Sequence, residues 1–408
     1  MKSIKKTAPD IYNLIQKEIK RQQETIDLIP SENYTSQAVL EAAGTVFTNK
    51  YAEGYPGQRY YPGCQIIDEL ETLCCQKAKR VFNLNDDWEV NVQPLSGGPA
   101  NFTIYFALLK PGDKILSMQL SHGGHLSHGH KVNISSHIYQ IINYGVNEKG
   151  FIDYEELEKI ALAEKPKLII SGATAYPRII DFKRFGEIAK KIGAYHLADI
   201  SHIAGLISAG LHPSPFLYSD VVMTTTHKTL RGPRSAVIFA KKEIYPQIKK
   251  AVFPGIQGGP HQHIICSKAV AFTEALKPEF KKYQIQIVKN AKALAKELKR
   301  LGFNLLTNGT DNHLMLINLK NVIDASEAEK ILEQANILAN RNTIPGDESP
   351  FKPNGLRLGT PAVTTRKMKE KEMKLIANFI YRLLIKKENV RKIQKEAVSL
   401  CKKFPIYN

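Results

Sequence analysis

The chain has 408 residues, of which 43% are hydrophobic, and its 57 basic residues outnumber its 39 acidic ones to give a formal net charge of +18. This length suits one large and one smaller domain, and the lack of an uninterrupted apolar stretch long enough to cross a bilayer argues against an integral membrane protein. Five cysteines without paired spacing, and a basic start that lacks the apolar core of a secretory signal, favour a cytoplasmic protein with reduced thiols.

The first predicted element is an amphipathic helix over residues 10–26. Ile11, Leu14, Ile15, Ile19 and Ile26 form an apolar stripe with helical spacing. Because this helix precedes the compact part of the chain, we expect it to pack on a partner chain or on the smaller domain. Residues 1–48 are therefore predicted to form an N-terminal helical arm.

Helical and strand patterns alternate from about residue 66. Helices are predicted over 66–82, 154–163 and 182–192, and strands over 114–118, 167–172, 195–199, 220–226 and 235–240. This alternation predicts an α/β fold whose mostly parallel sheet is covered by helices on both faces, in a large domain of residues 49–274. Catalytic groups are then expected at the carboxyl ends of the strands.

A smaller domain is predicted for residues 275–408, with helices at 280–300 and 325–336, strands at 303–306 and 313–319, the segment 355–358 and basic terminal helices. Residues 365–408 hold 13 basic and 4 acidic residues, which would fit a nucleic-acid surface. The same segment has apolar residues at helical spacing and lacks Arg-Gly repeats and aromatic platforms. A solvated helix face is therefore favoured, and no specific nucleic-acid or membrane partner is expected.

The strongest chemical signal lies between Asp220 and Arg234. An apolar run ends in three threonines, then His227-Lys228, then a Gly-Pro turn flanked by two arginines. Desolvation at the mouth of a buried strand lowers the pKa of a lysine and frees its lone pair for Schiff-base chemistry. Asp199 ends another predicted strand 29 residues earlier (228 − 199). A lysine with an acidic partner for a pyridinium nitrogen is typical of a pyridoxal-phosphate enzyme, whereas a surface lysine and a helix-capping aspartate are the alternatives.

Motifs along essentially the whole chain resemble those of the serine hydroxymethyltransferase family. The matching runs are residues 28–33, 49–61, 91–97, 122–126, 224–230, 257–260, 309–313 and 355–361. The resemblance implies the aminotransferase-like fold type I, with a large domain and a smaller α+β domain at the carboxyl terminus. It also implies a pyridoxal-phosphate enzyme that reversibly converts serine and tetrahydrofolate to glycine and 5,10-methylenetetrahydrofolate.

Two glycine-rich segments are candidates for binding the cofactor phosphate. Ser96, Gly97 and Gly98 stand before a predicted helix, whose free N–H groups and dipole attract an anion. By resemblance, Gly258 and Gly259 of the neighbouring subunit add a second contact. Family members usually have a serine or alanine in place of Gly98, so a side-chain contact is absent here. The resemblance also places around the cofactor Tyr51, His125, Thr174, Asp199, His202, His227, Lys228 and Arg234.

The histidine-rich run from His122 to His130 has two interpretations. A cluster of histidines among flexible glycines would allow zinc, but no carboxylate or cysteine is close in the sequence. In the family, His125 is instead the aromatic plate over the cofactor ring. We therefore expect no metal site.

The amino-acid substrate requires a group that binds its carboxylate. Arg357 stands among apolar neighbours, and its planar guanidinium suits bidentate binding, although a structural ion pair would look the same. The resemblance adds Ser31, Tyr61 and His202 as substrate contacts. Glu53 is the candidate for moving a proton, because a carboxyl group among aromatic residues suits acid–base work. The predicted catalytic set is Lys228, Glu53, Asp199, His227 and Tyr61.

The folate site is implied by the resemblance alone. The positions that match it are Leu120, Gly124, His125, Leu126, Asn312, Ser349, Pro350 and Phe351. The positive charge of the chain would suit an anionic polyglutamate tail. A folate-independent, threonine aldolase-like enzyme with the same cofactor is the alternative function.

The resemblance also implies an obligate homodimer, alone or within a tetramer, because in the family the loop that holds Tyr51, Glu53 and Tyr61 enters the partner's active site. Pro30, Gly98 and Ile256 depart from the family pattern. These departures affect details of the predicted site and leave the family resemblance intact.

Overall fold

The computed structural model describes residues 2–347 and 352–407. The predicted folate residues Ser349, Pro350 and Phe351 lie outside this range. Helices are numbered in chain order: α1 Lys2–Thr7, α2 Pro9–Gln23, α3 Gln37–Ala43, α4 Gln65–Val81, α5 Gly97–Leu108, α6 Ile134–Ile138, α7 Tyr154–Glu164, α8 Phe182–Ile192, α9 Ala204–Ser208, α10 Tyr245–Lys250, α11 Gln262–Ala275, α12 Pro278–Arg300, α13 Ala325–Gln334, α14 Pro361–Thr365, α15 Glu370–Leu384 and α16 Val390–Lys403.

The strands are numbered in the same way. They are β1 Ile26–Asp27, β2 Gly54–Tyr55, β3 Gln58–Arg59, β4 Trp88–Asn91, β5 Lys114–Met118, β6 Gln140–Tyr144, β7 Leu168–Ser171, β8 Tyr195–Asp199, β9 Val221–Thr225, β10 Ala236–Lys241, β11 Asn304–Leu305, β12 Leu314–Asn318, β13 Ile337–Leu338, β14 Asn340–Asn342 and β15 Gly355–Gly359.

The larger sheet in the described residues has the strand order β4-β10-β9-β8-β7-β5-β6. Only β10 runs antiparallel to its neighbours, so the predicted α/β fold with a mostly parallel sheet is confirmed. Successive residues of one strand point into cores on opposite faces of the sheet. Val222 packs on one side, whereas Val221 and Met223 pack on the other. This explains why the strands read as continuous apolar runs.

The smaller sheet is antiparallel, with the order β11-β12-β15-β14. Its core contains Leu356 and Leu358 of β15 together with apolar residues of α12, α13, α15 and α16. It also contains Ile26 and Leu28, because β1 pairs in parallel with β13. The smaller α+β unit is thereby confirmed, whereas the residue bounds of the domains stay a prediction.

Most predicted elements agree with the structure within one or two residues, but two expectations were wrong and some strands were missed. The N-terminal helix ends at Gln23, and Ile26 belongs to β1 instead of the helical stripe. The strand predicted at 303–306 is limited to β11, which a short 3-10 helix follows. Strands β4 and β6 had not been predicted. In the described part of the chain, no helix is long and apolar enough to cross a membrane.

Candidate active site

The carboxyl ends of three neighbouring parallel strands surround a cavity of about 480 Å³. Asp199 ends β8, Lys228 follows β9, and Thr174 follows β7. Only a glycine fits at position 172, between β7 and Thr174. Gly172 has φ +132° and lies so close to Asp199 that a Cβ would be 2.2 Å from the Asp199 carbonyl oxygen. The predicted residues that line the cavity are Ser31, Ser96, Gly97, Gly98, His125, Thr174, Asp199, His202, His227, Lys228 and Arg234.

Lys228 provides a buried amine in this cavity. Burial lowers its pKa to about 8, and the positive charges of Arg234 and Arg357 act in the same direction, although Asp199 opposes them. The amine donates a hydrogen bond to Thr225 Oγ1 at 2.7 Å. The backbone carbonyl of Lys228 accepts one from Asn33 Nδ2 at 2.9 Å. About a tenth of this amine is therefore unprotonated, and nucleophilic, at pH 7, a far larger share than for a lysine with the ordinary pKa.

Asp199 provides a buried carboxylate. Burial by itself would raise its pKa, but hydrogen bonds from His128, Ser201 and Asn101 outweigh that effect and hold the pKa well below its usual range. His128 Nε2 and Asn101 Nδ2 lie 2.9 and 3.0 Å from Oδ2, and the Ser201 N–H lies 3.0 Å from Oδ1. Asp199 is therefore ionised and suited to hold a protonated nitrogen.

Asn101 and Ser127 are site residues that the sequence reasoning missed. Asn101 Nδ2 donates to both Asp199 and Ser127 Oγ, and His125 Nδ1 accepts a bond from the Ser127 N–H at 3.1 Å. One chain of contacts thus fixes the Asp199 carboxylate and the His125 ring relative to each other. The polar Asn101 at the start of the mostly apolar run 101–109 was the signal for this residue in the sequence.

Arg357 reaches the site from the smaller sheet. Its neighbours Leu356 and Leu358 point into the core, so strand alternation turns Arg357 the other way. Its Nε donates to Asn340 Oδ1 at 3.1 Å and its Nη1 donates to the Thr174 carbonyl at 2.8 Å. Burial lowers its pKa to about 10, so it remains charged near neutrality. The guanidinium is oriented by these two bonds, and since no described residue accepts a hydrogen bond from Nη2, this nitrogen suits a carboxylate.

The histidine-rich run does not bring metal ligands together. His128 contacts Asp199, and His122 Nδ1 accepts a bond from the Val146 N–H at 3.1 Å. In residues 2–347 and 352–407, no group of three or more His, Cys, Asp or Glu side chains is placed to hold a metal ion.

Comparison with known proteins agrees with this geometry. The family model described as serine hydroxymethyltransferase matches residues 4–380. The chain is also 54% identical to a serine hydroxymethyltransferase of Methanosarcina barkeri (strain Fusaro / DSM 804), over 414 aligned positions that cover all of both chains. The chain belongs to the serine hydroxymethyltransferase family. The resemblance noted from its motifs is thereby confirmed.

The cofactor of the serine hydroxymethyltransferase family is pyridoxal 5′-phosphate, and the cavity fits it. The amine of Lys228 suits its aldehyde, and the carboxylate of Asp199 suits its ring nitrogen, because both line the cavity. Three cationic side chains (Lys228, Arg234 and Arg357) lie in or beside the cavity, which suits an anionic ligand.

The start of α5 fits the phosphate of this cofactor. Ser96 is its N-cap residue, and the Ser96 side chain makes no capping bond, which leaves the hydroxyl and the first-turn N–H groups to a ligand. A Cβ at Gly97 would lie 2.7 Å from Thr225 Cγ2, so this position has no room for a side chain. Gly98 has no other atom within 4 Å of such a Cβ, so the serine or alanine usual in the family would fit there.

A second group of predicted residues lies outside the cavity lining. The rings of Tyr51 and Tyr61 are 5.0 Å apart, and 55% and 41% of these residues are exposed. Glu53 lies beside Gly258, where a Cβ would be 3.1 Å from its Oε1, and Tyr51 lies beside Gly259. The chain thus brings these five residues together, but apart from the cavity that Lys228 lines.

Arg59 anchors the loop that holds Tyr51 and Glu53. The sequence reasoning had not identified it as a site residue. Its Nη1 donates to the carbonyls of Ala52 and Gly54 at 2.9 and 2.7 Å, on both sides of Glu53. Its Nε and Nη2 bind Asp68 and Glu71 of α4 at 2.8 and 2.9 Å. The loop is therefore anchored to a helix and presents Glu53 in a fixed place.

The described members of the predicted folate set are divided. Leu120 and His125 line a second cavity of about 590 Å³, and Leu126 is 47% exposed. Gly124 is packed so closely that a Cβ would lie 2.1 Å from the Met118 carbonyl oxygen. Asn312 is buried, and its side chain donates to the Tyr176 carbonyl and accepts from the Leu314 N–H.

Proposed function

We propose that this protein catalyses the reversible transfer of the hydroxymethyl carbon of serine to tetrahydrofolate, which yields glycine and 5,10-methylenetetrahydrofolate. The observation that carries this proposal is the placement of a buried, easily deprotonated Lys228 and an ionised Asp199 in one cavity, with Arg357 beside it, in a chain of this family. The three groups suit an aldehyde, a ring nitrogen and an amino-acid carboxylate, respectively.

When bound, pyridoxal phosphate supplies an electron sink for the bond that is broken in the substrate. Lys228 would hold the cofactor through its amine. Asp199 keeps the ring nitrogen protonated, because its own pKa is held low. His125, fixed by Ser127, would hold the ring, and the start of α5 would bind the phosphate.

Arg357 orients serine by its carboxylate from beside the cavity, and Ser31 and His202 line that cavity. Glu53 and Tyr61 handle the proton that accompanies cleavage. Because these two residues lie outside the lining of the Lys228 cavity in their own chain, we propose that they act in the cavity of a partner subunit. Each site would then combine Lys228, Asp199 and Arg357 of one chain with Tyr51, Glu53 and Gly258 of the other.

Exposed apolar residues support such a homodimer. Val46 is 78% exposed, Ile66 62% and Phe106 51%, and they accompany the exposed Tyr51 and Tyr61. Large apolar side chains left exposed on a single chain are typical of a surface that a partner covers. All five cysteines are free, which supports the further proposal of a cytoplasmic location.

The shared site can be tested with two inactive variants, Lys228→Ala and Glu53→Gln. The chains are unfolded together and refolded as a mixture. A two-fold interface is reciprocal, so each hybrid dimer has one doubly defective site and one intact site. Random pairing makes about half the dimers hybrids, so about a quarter of the activity of the unsubstituted enzyme should return. Refolding either variant alone is the control, and a mixture that stays inactive although hybrids are present would contradict the shared site.

The proposed reaction itself is tested by its requirement for folate. Purified holoenzyme is given serine with and without tetrahydrofolate, and glycine formation is measured. We expect turnover with tetrahydrofolate to be at least about a hundredfold faster, since the one-carbon unit then has an acceptor bound in the site. Equal rates in both reactions, together with rapid cleavage of threonine, would instead support the folate-independent aldolase.

A further inference from the structure

Two buried histidines from different units meet behind the cavity. His202 follows β8 and lines the cavity, whereas His313 immediately precedes β12 of the smaller sheet. These residues are 6% and 0% exposed. His202 Nδ1 lies 3.2 Å from His313 Nε2, and the ring planes differ by only 25°. A single hydrogen bond therefore joins the two rings.

Both rings are neutral near pH 7. Burial lowers the pKa of His202 well below its ordinary value, and the nearby positive charge of Lys228 adds to this effect. Burial and the charges of Arg357 and Lys228 lower the pKa of His313 to about 3. A neutral imidazole carries one proton, so one ring donates across the shared bond and the other accepts.

The far nitrogen of His313 decides which ring donates. Among the described residues, His313 Nδ1 is buried and has no hydrogen-bond partner. A proton on Nδ1 would therefore be a buried donor without an acceptor, whereas a proton on Nε2 leaves only an unused lone pair. Orphaned buried N–H groups are the rarer of the two. The proton of His313 thus belongs on Nε2, from which it is donated to His202 Nδ1.

We propose that His313 is a positioning residue that fixes His202 in the tautomer with its proton on Nε2, so that His202 presents a hydrogen-bond donor to the cavity. Since His202 Nδ1 is occupied by His313, only Nε2 of this ring is left for a ligand. The groups that enter this cationic cavity carry anionic oxygens, which a neutral N–H donor binds and a bare lone pair repels. His313 thereby sets the polarity of a group 111 residues away in the chain (313 − 202).

The tautomer can be measured directly by long-range ¹H–¹⁵N NMR on holoenzyme labelled with ¹⁵N-histidine. The His202 signals are assigned by their loss in His202→Asn. We expect a neutral ring in the parent, with Nε2 protonated and Nδ1 bare. A proton on Nδ1 of His202 would overturn the proposal, and this result requires no variant at position 313.

Two substitutions separate the donor from the bulk of His313. The amide of His313→Gln can still donate from about the place of Nε2, whereas His313→Leu fills similar space without a donor. The glutamine variant should retain the parental His202 signals, and the leucine variant should move the proton of His202 toward Nδ1. Parental signals in the leucine variant would contradict the proposed role.

The consequence for the ligand rests on the proposed function and is measured separately. The dissociation constant of serine should rise about tenfold in His313→Leu, the usual effect of losing one hydrogen bond, and change less than about threefold in His313→Gln. Cofactor affinity without serine is measured in parallel, so that contacts to the two anionic ligands are distinguished. An equal loss in both variants would mean that His313 acts only through packing. If the NMR spectra show the expected tautomers but the affinities for both ligands are unchanged, His313 still fixes the tautomer of His202. That result would contradict the proposed role of His202 in binding the ligand.

Discussion

Lys228→Ala should abolish the covalent attachment of pyridoxal phosphate and reduce turnover by more than about a thousandfold, as removal of a covalent nucleophile does elsewhere. The cofactor should still bind without covalent attachment, because Asp199, His125 and the start of α5 remain. The visible absorbance of the protein, its retention of cofactor on denaturation after reduction with borohydride, and its rate of glycine formation measure these outcomes. A variant that retains the covalent attachment would contradict the assignment.

Lys268 provides a matched control for this experiment. It is also buried, with 1% of the residue exposed, and burial likewise lowers its pKa to about 8. Its amine, however, donates to Ser235 Oγ at 3.0 Å and to the carbonyls of Ala236 and Val92, away from the cavity lining. Lys268→Met should therefore retain the covalent attachment and lower the free energy of unfolding by about 1–3 kcal/mol.

The pH dependence of cofactor attachment provides an independent check. An amine loses its proton as the pH rises through its pKa, and only the free amine attacks an aldehyde. Since the pKa of Lys228 is about 8, the rate of covalent attachment to apoenzyme should rise as the pH increases through about 8 and level off above it. An increase centred near the ordinary pKa of lysine would show that the cavity does not desolvate this amine.

Arg357→Lys should raise the KM for serine by roughly a hundredfold while the cofactor remains bound. The lysine keeps the positive charge but loses the planar guanidinium that Asn340 and Thr174 orient, and charge-assisted bonds to a carboxylate are worth about 1.5–3 kcal/mol each. Initial rates over a range of serine concentrations measure the effect. Ethanolamine, which lacks the carboxylate, should bind the parent and the variant equally, so a similar loss for both ligands would contradict the assignment.

Arg366 is the control for this substitution. It is also buried, at 1% exposed, but its guanidinium donates to the backbone carbonyls of Gln22, Gln23 and Cys401, at the ends of α2 and α16. Arg366→Lys should lower the thermal unfolding temperature and leave the KM for serine near the parental value. The two arginines thereby separate loss of substrate binding from loss of stability.

The sequence was sufficient where the chemistry follows directly from a strand. The apolar runs before Asp199 and Lys228 predicted both the strands and the edge at which these side chains meet. Periodicity was less informative for β4 and β6, which lie at the two edges of the sheet. Ile26 was assigned to a helix because its spacing fitted the stripe, whereas its real partner is Ile337.

The contacts that position the chemistry could not be predicted from local patterns. Asn101 bonds to a residue 98 positions away, and Asn340 orients Arg357 because two antiparallel strands place them opposite each other. Such pairs depend on the register and approach of distant elements, which spacing along the chain does not encode. The separation of Glu53 from Lys228 could not be predicted either. The sequence shows that both residues belong to one chain, but it does not show which surface of the fold each one faces.

The parallel pairing of β1 with β13 has a consequence for synthesis of the protein. Ile26 pairs with Ile337, which is translated 311 residues later (337 − 26), and the core that holds Ile26 also requires α15 and α16. While the seven strands of the larger sheet emerge from the ribosome, the first segment of the chain has no place to dock. It must remain free of wrong partners until almost the whole polypeptide has been made. Contacts of such long range are formed slowly. We expect the docking of the first segment of the chain on the last ones to be a late step of folding.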